Sequence, residues 1–236
     1  MKLAVFDVDG TLTNTNSVDN ECFVKAFGEA QSIFGIDTDW AAYPHTSDSG
    51  ITEYIFQKKL GRRPEDAELT KVKTCFINLL DERYQSHPAD FAEIAGASFA
   101  LDRLNREHGW AVAIATGCWR ESALLKLRVA KIEVDGVPSA YAEDGLSREE
   151  ILQAAVARAS SRYRHDGFEK IVSVGDAVWD VLAASRLKLA FVGVGEGESS
   201  AKLRQAGARH VIGDFADYAG LVRCLDEAEI PQPDFL

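Results

Sequence analysis

The first thirteen residues leave this chain few choices. Residues 3–13 read LAVFDVDGTLT, an apolar stretch that delivers two carboxylates, Asp7 and Asp9, into a Gly-Thr turn. A buried strand is the natural reading, and its period-two alternation lets Asp7 and Asp9 point to the same side at its C-terminal end. In an open α/β sheet that end is where ligands bind. Two adjacent carboxylates repel each other unless a divalent cation neutralises them or one takes up a proton. A hard cation such as Mg2+ takes oxygen ligands of this kind. The run therefore points to a metal-assisted carboxylate nucleophile.

The rest of the chain supplies a sheet for that strand to join. Short apolar runs at 111–115, 171–174, 189–193 and 210–212 alternate with helix-spaced segments such as 98–108, 151–163, 180–186 and 199–206. Gly109 and Gly207 follow two of these helical segments, where a left-handed cap favours glycine. The alternation predicts an α/β fold with a doubly wound parallel sheet. Residues 15–87 follow another rule. Phe23, Ala26, Phe27, Ala30, Ile33 and Phe34 form one helical stripe ended by Gly35, and Ile51, Tyr54, Ile55 and Leu60 a second ended by Gly61. A third starts at Pro64 and carries Leu69, Val72, Phe76, Leu79 and Leu80. The expected organisation is a core of residues 1–14 and 88–236, with an all-helical domain, 15–87, inserted after the first strand.

Composition narrows the partners. A hydrophobic fraction of 46% in 236 residues supports a packed core, and a net charge of -11 disfavours nucleic acid or an anionic membrane. An anionic substrate then needs local positive charge. Cys22, Cys75, Cys118 and Cys224 lack any metal-binding spacing and read as reduced thiols. No apolar run reaches the roughly 18 residues of a membrane span, and no basic-then-apolar leader opens the chain. A cytoplasmic protein, monomer or homodimer, is expected.

Three further features carry chemistry. Thr116-Gly117 ends the apolar run at 111–115, where a hydroxyl can bond a phosphoryl oxygen and glycine permits close approach. Ser147 and Glu150 have capping-box spacing, starting a helix at Arg148. After the run at 171–174 comes Gly175-Asp176, with Asp180 one helical turn beyond, so both acids can reach the cation beside Asp7. Asp180 as a helix N-cap is compatible with that role.

The segment Asp7-Val-Asp9-Gly10-Thr11-Leu12-Thr13, the strand-ending Thr116 and the Gly175-Asp176…Asp180 segment resemble, in type and order, the signatures of the haloacid dehalogenase-like hydrolases. The chain departs from the pattern at Arg148, where the family usually places lysine; Lys126, on the helix after Thr116, is the competing cation. The resemblance implies a Rossmann-like core, a helical cap and a Mg2+-dependent phosphatase acting on a small phosphorylated metabolite such as phosphoglycolate or a sugar phosphate. It implies Asp7 as nucleophile and Asp9 as general acid and base. Mg2+ would be held by Asp7, the Asp9 carbonyl and Asp176, with Asp180 beside them. Thr116, Gly117 and Arg148 would hold the phosphoryl group, with Thr13 nearby. Asp9 speaks against halide chemistry, because dehalogenases of the family lack a carboxylate there. A phosphonate hydrolase needs a Schiff-base lysine among Lys25, Lys58, Lys59, Lys71 and Lys73. The same core is also compatible with a phosphomutase, or with a non-catalytic phosphometabolite-binding protein. The polar stretch 43–50 lies where family caps present a specificity loop, making His45, Thr46, Asp48 and Ser49 candidates; Asp48 or Ser49 can equally serve as a helix N-cap. Trp40, Trp110 and Trp119 read as packing residues, and Trp179 as packing or a pocket edge.

Overall fold

A computed structural model describes residues 1–106, 109–165 and 167–232. Six parallel strands form one sheet: β1 (Lys2–Phe6), β2 (Trp110–Ala115), β3 (Ser139–Ala140), β4 (Ile171–Gly175), β5 (Ala190–Val194) and β6 (His210–Ile212). Their order, β3-β2-β1-β4-β5-β6, is that of a Rossmann-like sheet wound in both directions from its centre. The direction reverses between β1 and β4. Strands leaving a switch point carry their connections to opposite faces, so a crevice opens beyond the carboxyl ends of these two.

Strand alternation builds the two sides of the core. Ala4, Phe6, Val112, Ile114, Val172 and Val174 face helices α4 (Ala97–Arg106) and α9 (Tyr218–Glu227). Leu3, Val5, Ala111, Ala113 and Ala115 face α6 (Arg148–Tyr163), whose Ala155 and Ala159 allow close packing. Helices α7 (Val178–Leu187) and α8 (Gly197–Gln205) cover β5 through Val181, Ala184, Leu203 and Phe191. The remaining core helix, α5 (Arg120–Val129), follows β2. At about 1.5–3 kcal/mol per large buried side chain, these faces rather than any single polar contact hold the sheet.

Between β1 and α4 lie α1 (Asn16–Gln31), α2 (Asp48–Leu60) and α3 (Asp66–Ser86), with 3₁₀ turns at Trp40–Ala42 and Pro88–Phe91. The apolar stripes converge on Phe23, Phe27, Ile55, Phe56, Val72, Phe76 and Leu80. This cluster does not stop at the block. It takes in Trp119, Leu125 and Ala142, and the Trp119 ring lies 5.6 Å from Phe23 and 6.1 Å from Phe76.

Several boundaries differ from expectation. The first stripe ends earlier than Gly35: α1 stops at Gln31 with Ser32 in the left-handed conformation, so Ile33 turns inward while Phe34 is largely exposed. The third helix starts at Asp66 rather than Pro64, because Glu65 and Glu68 form its capping box. The N-cap of α2 is neither Asp48 nor Ser49 but Ser47, whose hydroxyl accepts the Gly50 N–H. The N-cap of α7 is Ala177; Asp180 sits in the first turn and accepts the Ala177 N–H at 3.2 Å. Strand β3, only two residues long, has no expected counterpart. The end of the helix expected at 98–108 includes 107–108, which lie outside the described residues.

Candidate active site

The crevice at the switch point is a cavity of about 580 Å³. Asp7, immediately after β1, and Asp176, immediately after β4, both line it. Register places them together: Phe6 pairs with Val174, and the Asp7 N–H donates to the Val174 carbonyl at 3.0 Å. Thr116 and Gly117, after β2, complete the floor. The Thr116 hydroxyl oxygen accepts the Cys118 N–H at 3.2 Å, which leaves its proton free to point elsewhere. Gly10, at φ +70°, belongs to the turn after Asp9, and a Cβ there would sit 2.0 Å from Asp176 Oδ2. Only glycine serves this turn, since both the backbone conformation and the carboxylate's approach demand it.

Asp7, Asp176 and Asp180 form a group whose carboxylate oxygens lie within 4.8 Å of one another. Among the described residues, Asp7 Oδ1 is buried without a hydrogen-bond partner, and Asp176 Oδ2 accepts the Asn16 amide at 2.8 Å. Burial raises the Asp7 carboxyl to about 7, with Asp180 and Asp9 adding to it and Arg148 opposing. Burial, then Asp180 and Asp7, push Asp176 well above the carboxylate range. Crowded buried acids with an unpartnered oxygen are the donor set that a hard divalent cation relieves. The residues present therefore fit Mg2+. The Asp9 carboxylate is not part of this group; it faces Asp19 and Cys118 instead.

Arg148 reaches the site from the first turn of α6, which starts at the Ser147–Glu150 capping box. Its Nη2 lies 3.0 Å from Asp7 Oδ2. Its Nε and Nη2 donate to Asp180 Oδ1 at 3.0 and 2.6 Å. Asp180 thus acts on the site chiefly by holding the arginine, its other oxygen being taken by Ala177. Gly117 makes room for this arrangement, because a Cβ there would lie 2.5 Å from Arg148 Nη1 and 2.9 Å from the Thr46 carbonyl. The cation beside Asp7 is Arg148, not Lys126.

Lys126 has a place that the sequence does not announce. It is wholly buried, and its ammonium lies 2.6 Å from Asp9 Oδ2 and 2.6 Å from Asp19 Oδ1. It also donates to Cys118 Sγ at 3.1 Å. Burial alone would raise the Asp9 carboxyl, but Lys126 and the Cys118 and Thr15 hydrogen bonds outweigh it and hold Asp9 below its usual range. Burial raises Asp19 to about 6 despite the same lysine. The readable signal is a lysine on the buried face of α5, beside Ser122, Ala123 and Leu125, since such a charge demands partners.

The remaining candidates divide. Thr46 lines the cavity. His45 borders a smaller neighbouring hollow together with Thr46, Arg148 and Trp179. Thr13 is fully buried, with its hydroxyl on the Val8 carbonyl and the Thr15 hydroxyl, so it shapes the turn and does not touch the cavity. Ser49 accepts the Trp119 indole N–H at 3.0 Å and lies outside the cavity lining. Trp40, read as packing, is mostly buried yet also forms part of the wall, as does Trp179. Phe23, Asp19, Asp48 and Ile51 line it as well. Asp48 also ties α2 to the loop after β2: its N–H donates to the Gly117 carbonyl at 2.7 Å, and its Oδ2 accepts the Trp119 N–H at 2.8 Å.

Strand order and the placement of acids at strand ends define a Rossmann-like α/β protein with its ligand crevice between β1 and β4. The model of the haloacid dehalogenase-like hydrolases matches residues 1–188, and the chain belongs to that family of hydrolases. Solved structures agree on the fold. A hydrolase from Pseudomonas syringae is 21% identical, covers 96% of this chain and 99% of its own, and has a TM-score of 0.71. A protein from Bacteroides vulgatus described as a β-phosphoglucomutase is 16% identical, covering 96% and 91%, with a TM-score of 0.66. One from Haemophilus somnus described as a phosphoglycolate phosphatase is 17% identical, covering 94% and 98%, with a TM-score of 0.60. No curated protein matches the sequence. Among the described residues no helix is long and apolar enough to cross a membrane.

Proposed function

We propose that the protein is a Mg2+-dependent phosphatase for a small phosphorylated metabolite, with residues 15–87 as a cap over the catalytic core. One observation carries the reading: Asp7, with an unpartnered buried oxygen, shares the switch-point crevice with Asp176, Thr116 and Arg148. Asp7 attacks phosphorus in line and the bond to the leaving oxygen breaks, giving an aspartyl phosphate. Asp9, which Lys126 holds as a carboxylate at rest, takes up a proton from the bound phosphate monoester and gives it to that oxygen; it then takes one from the water that attacks the aspartyl phosphate, which frees Asp7 and leaves Asp9 protonated for the next turnover. Asp7, the Asp9 carbonyl and Asp176 would hold Mg2+, and the positive charge it would supply when bound would offset the phosphoryl oxygens and keep Asp7 ionised. Thr116 and Arg148 orient the phosphoryl oxygens, Arg148 being aimed by Asp180.

The lining supports a choice among substrates. Asp19 and Asp48 stand on the helical side beside Phe23, Trp40 and Ile51. Beyond Arg148, the cation in this lining is Lys202, an exposed residue paired with Glu198 at 2.8 Å. A neutral, hydroxyl-bearing leaving group such as a sugar suits these walls better than the carboxylate of phosphoglycolate, because the carboxyl groups of Asp19 and Asp48 can hydrogen-bond hydroxyls and give a carboxylate no counter-charge. Phosphonate cleavage is disfavoured, since Lys25, Lys58, Lys59, Lys71 and Lys73 are all absent from the cavity lining.

The test is a screen of phosphorylated metabolites with and without Mg2+, run beside Asp7→Asn and read as phosphate release. Sugar phosphates should be hydrolysed faster than phosphoglycolate. Phosphate release that survives both Asp7→Asn and chelation would overturn the reading, and isomerised product without released phosphate would make the protein a mutase.

A further inference from the structure

We propose that Lys126 is a positioning residue for Asp9 and that it couples this acid to Asp19 on α1, so that the seating of the helical block and the placement of the acid are one event. The inference rests on the phosphatase reading above. All three protons of the Lys126 ammonium have a partner: Asp9 Oδ2, Asp19 Oδ1 and Cys118 Sγ. Asp9 in turn is gripped at both oxygens. Thr15 donates to Oδ1, and Cys118 donates to Oδ2 at 2.6 Å alongside Lys126. These groups come from three separate stretches: the turn after β1, the start of α1, and the segment after β2, with Cys118 just before α5 and Lys126 in its last turn.

A purely structural role explains this poorly. An enclosed ammonium loses its hydration, and a buried ion cluster replaced as a whole by apolar side chains of similar volume is often no less stable. What the charge adds is direction. A proton donor works only when it is held within hydrogen-bond reach of the leaving oxygen, and a freely turning carboxyl spends little time there. Lys126 fixes the carboxyl from behind, while Asp9 itself still borders the cavity. Because Asp19 shares the same ammonium, displacement of α1 removes one anchor of that grip.

The experiment compares two esters that differ in their need for an acid. p-Nitrophenyl phosphate releases a weakly basic oxygen that leaves without a proton, whereas glycerol phosphate releases an alkoxide that needs one. Because Asp9 is also the base for the water step that both esters share, the readout is single-turnover release of the alcohol. Asp9→Asn should lower that rate mainly on glycerol phosphate and serves as the reference. Lys126→Met should lower it on glycerol phosphate about 30-fold or more and on p-nitrophenyl phosphate about threefold or less, in line with the size of acid catalysis. Asp19→Asn, which keeps Lys126, should shift the ratio in the same direction by a smaller factor. Thermal melts establish that each variant is folded, and if Lys126→Met does not fold, Asp19→Asn decides. Equal losses on both esters, or no loss on either, would refute the positioning role. If Asp9→Asn is selective and neither Lys126→Met nor Asp19→Asn is, this inference alone falls. If the unaltered protein hydrolyses neither ester, the phosphatase reading falls and takes the inference with it.

Discussion

The sheet and the helical block contribute to the same cavity by different means. The sheet side presents groups at strand ends, Asp7, Thr116 and Asp176, whose positions follow from backbone register. The helical side presents Asp19, Phe23, Trp40, Asp48 and Ile51, whose positions follow from how three helices pack on one another. Strand ends in a hydrogen-bonded sheet are stiff, so they suit chemistry that tolerates little displacement. Helix faces can exchange side chains without moving the chain, so they suit selection among substrates. Changes on the sheet side should therefore strike kcat, and changes on the helical side KM.

Asp7→Asn offers the largest test. An amide is isosteric but not nucleophilic, so turnover should fall about a thousandfold or more while the melting temperature holds. Near-normal phosphate release would remove the sheet side from the chemistry altogether. Chelation, or Asp176→Ala at low Mg2+, should cost about 3 kcal/mol in transition-state stabilisation, recovered by excess metal in the variant. Full activity in chelated protein would mean that the three acids serve another purpose. Arg148→Ala should cost about 2 kcal/mol, read in kcat/KM, with Arg148→Lys restoring part because its point charge replaces a forked donor. A loss confined to KM would move Arg148 to the selecting side of the comparison. The smallest effect is expected from Thr46→Val, on the helical side, at about threefold in KM with kcat unchanged. A loss in kcat as large as that of Arg148→Ala would erase the distinction between the two regions.

The same division explains what was legible in the sequence. Strands β1, β2, β4, β5 and β6 show as short apolar runs, because a strand covered on both faces has little room for polar residues. The acids at their ends could be read directly, since a strand fixes where its next residue goes. Ser139–Ala140 could not be seen, being two residues paired only with Ile114 and Ala115. Lys126 could not be placed for a different reason. Its partners Asp9 and Asp19 are distant in sequence, and nothing local records that the α5 helix packs against the turn after β1. Ser49, Thr13 and His45 show the limit of composition: a polar loop residue near a cavity is as readily spent on an indole, a backbone carbonyl or a neighbouring hollow.

The aromatic group of Phe23, Phe76 and Trp119 has a consequence for how the molecule comes apart. Trp119 belongs to the loop after β2, yet its ring is enclosed by residues of α1 and α3. Unfolding the helical block would expose that ring and Leu125, and unfolding the sheet would strip the block of part of its own interior. The two regions therefore share part of one core, although the clusters on the two faces of the sheet are built without the helical block. Heat should melt the chain in a single endotherm whose calorimetric and van't Hoff enthalpies agree, the mark of one cooperative unit. Such a melt would make the insertion that looks like a separate domain in the order of residues one half of a single folding reaction.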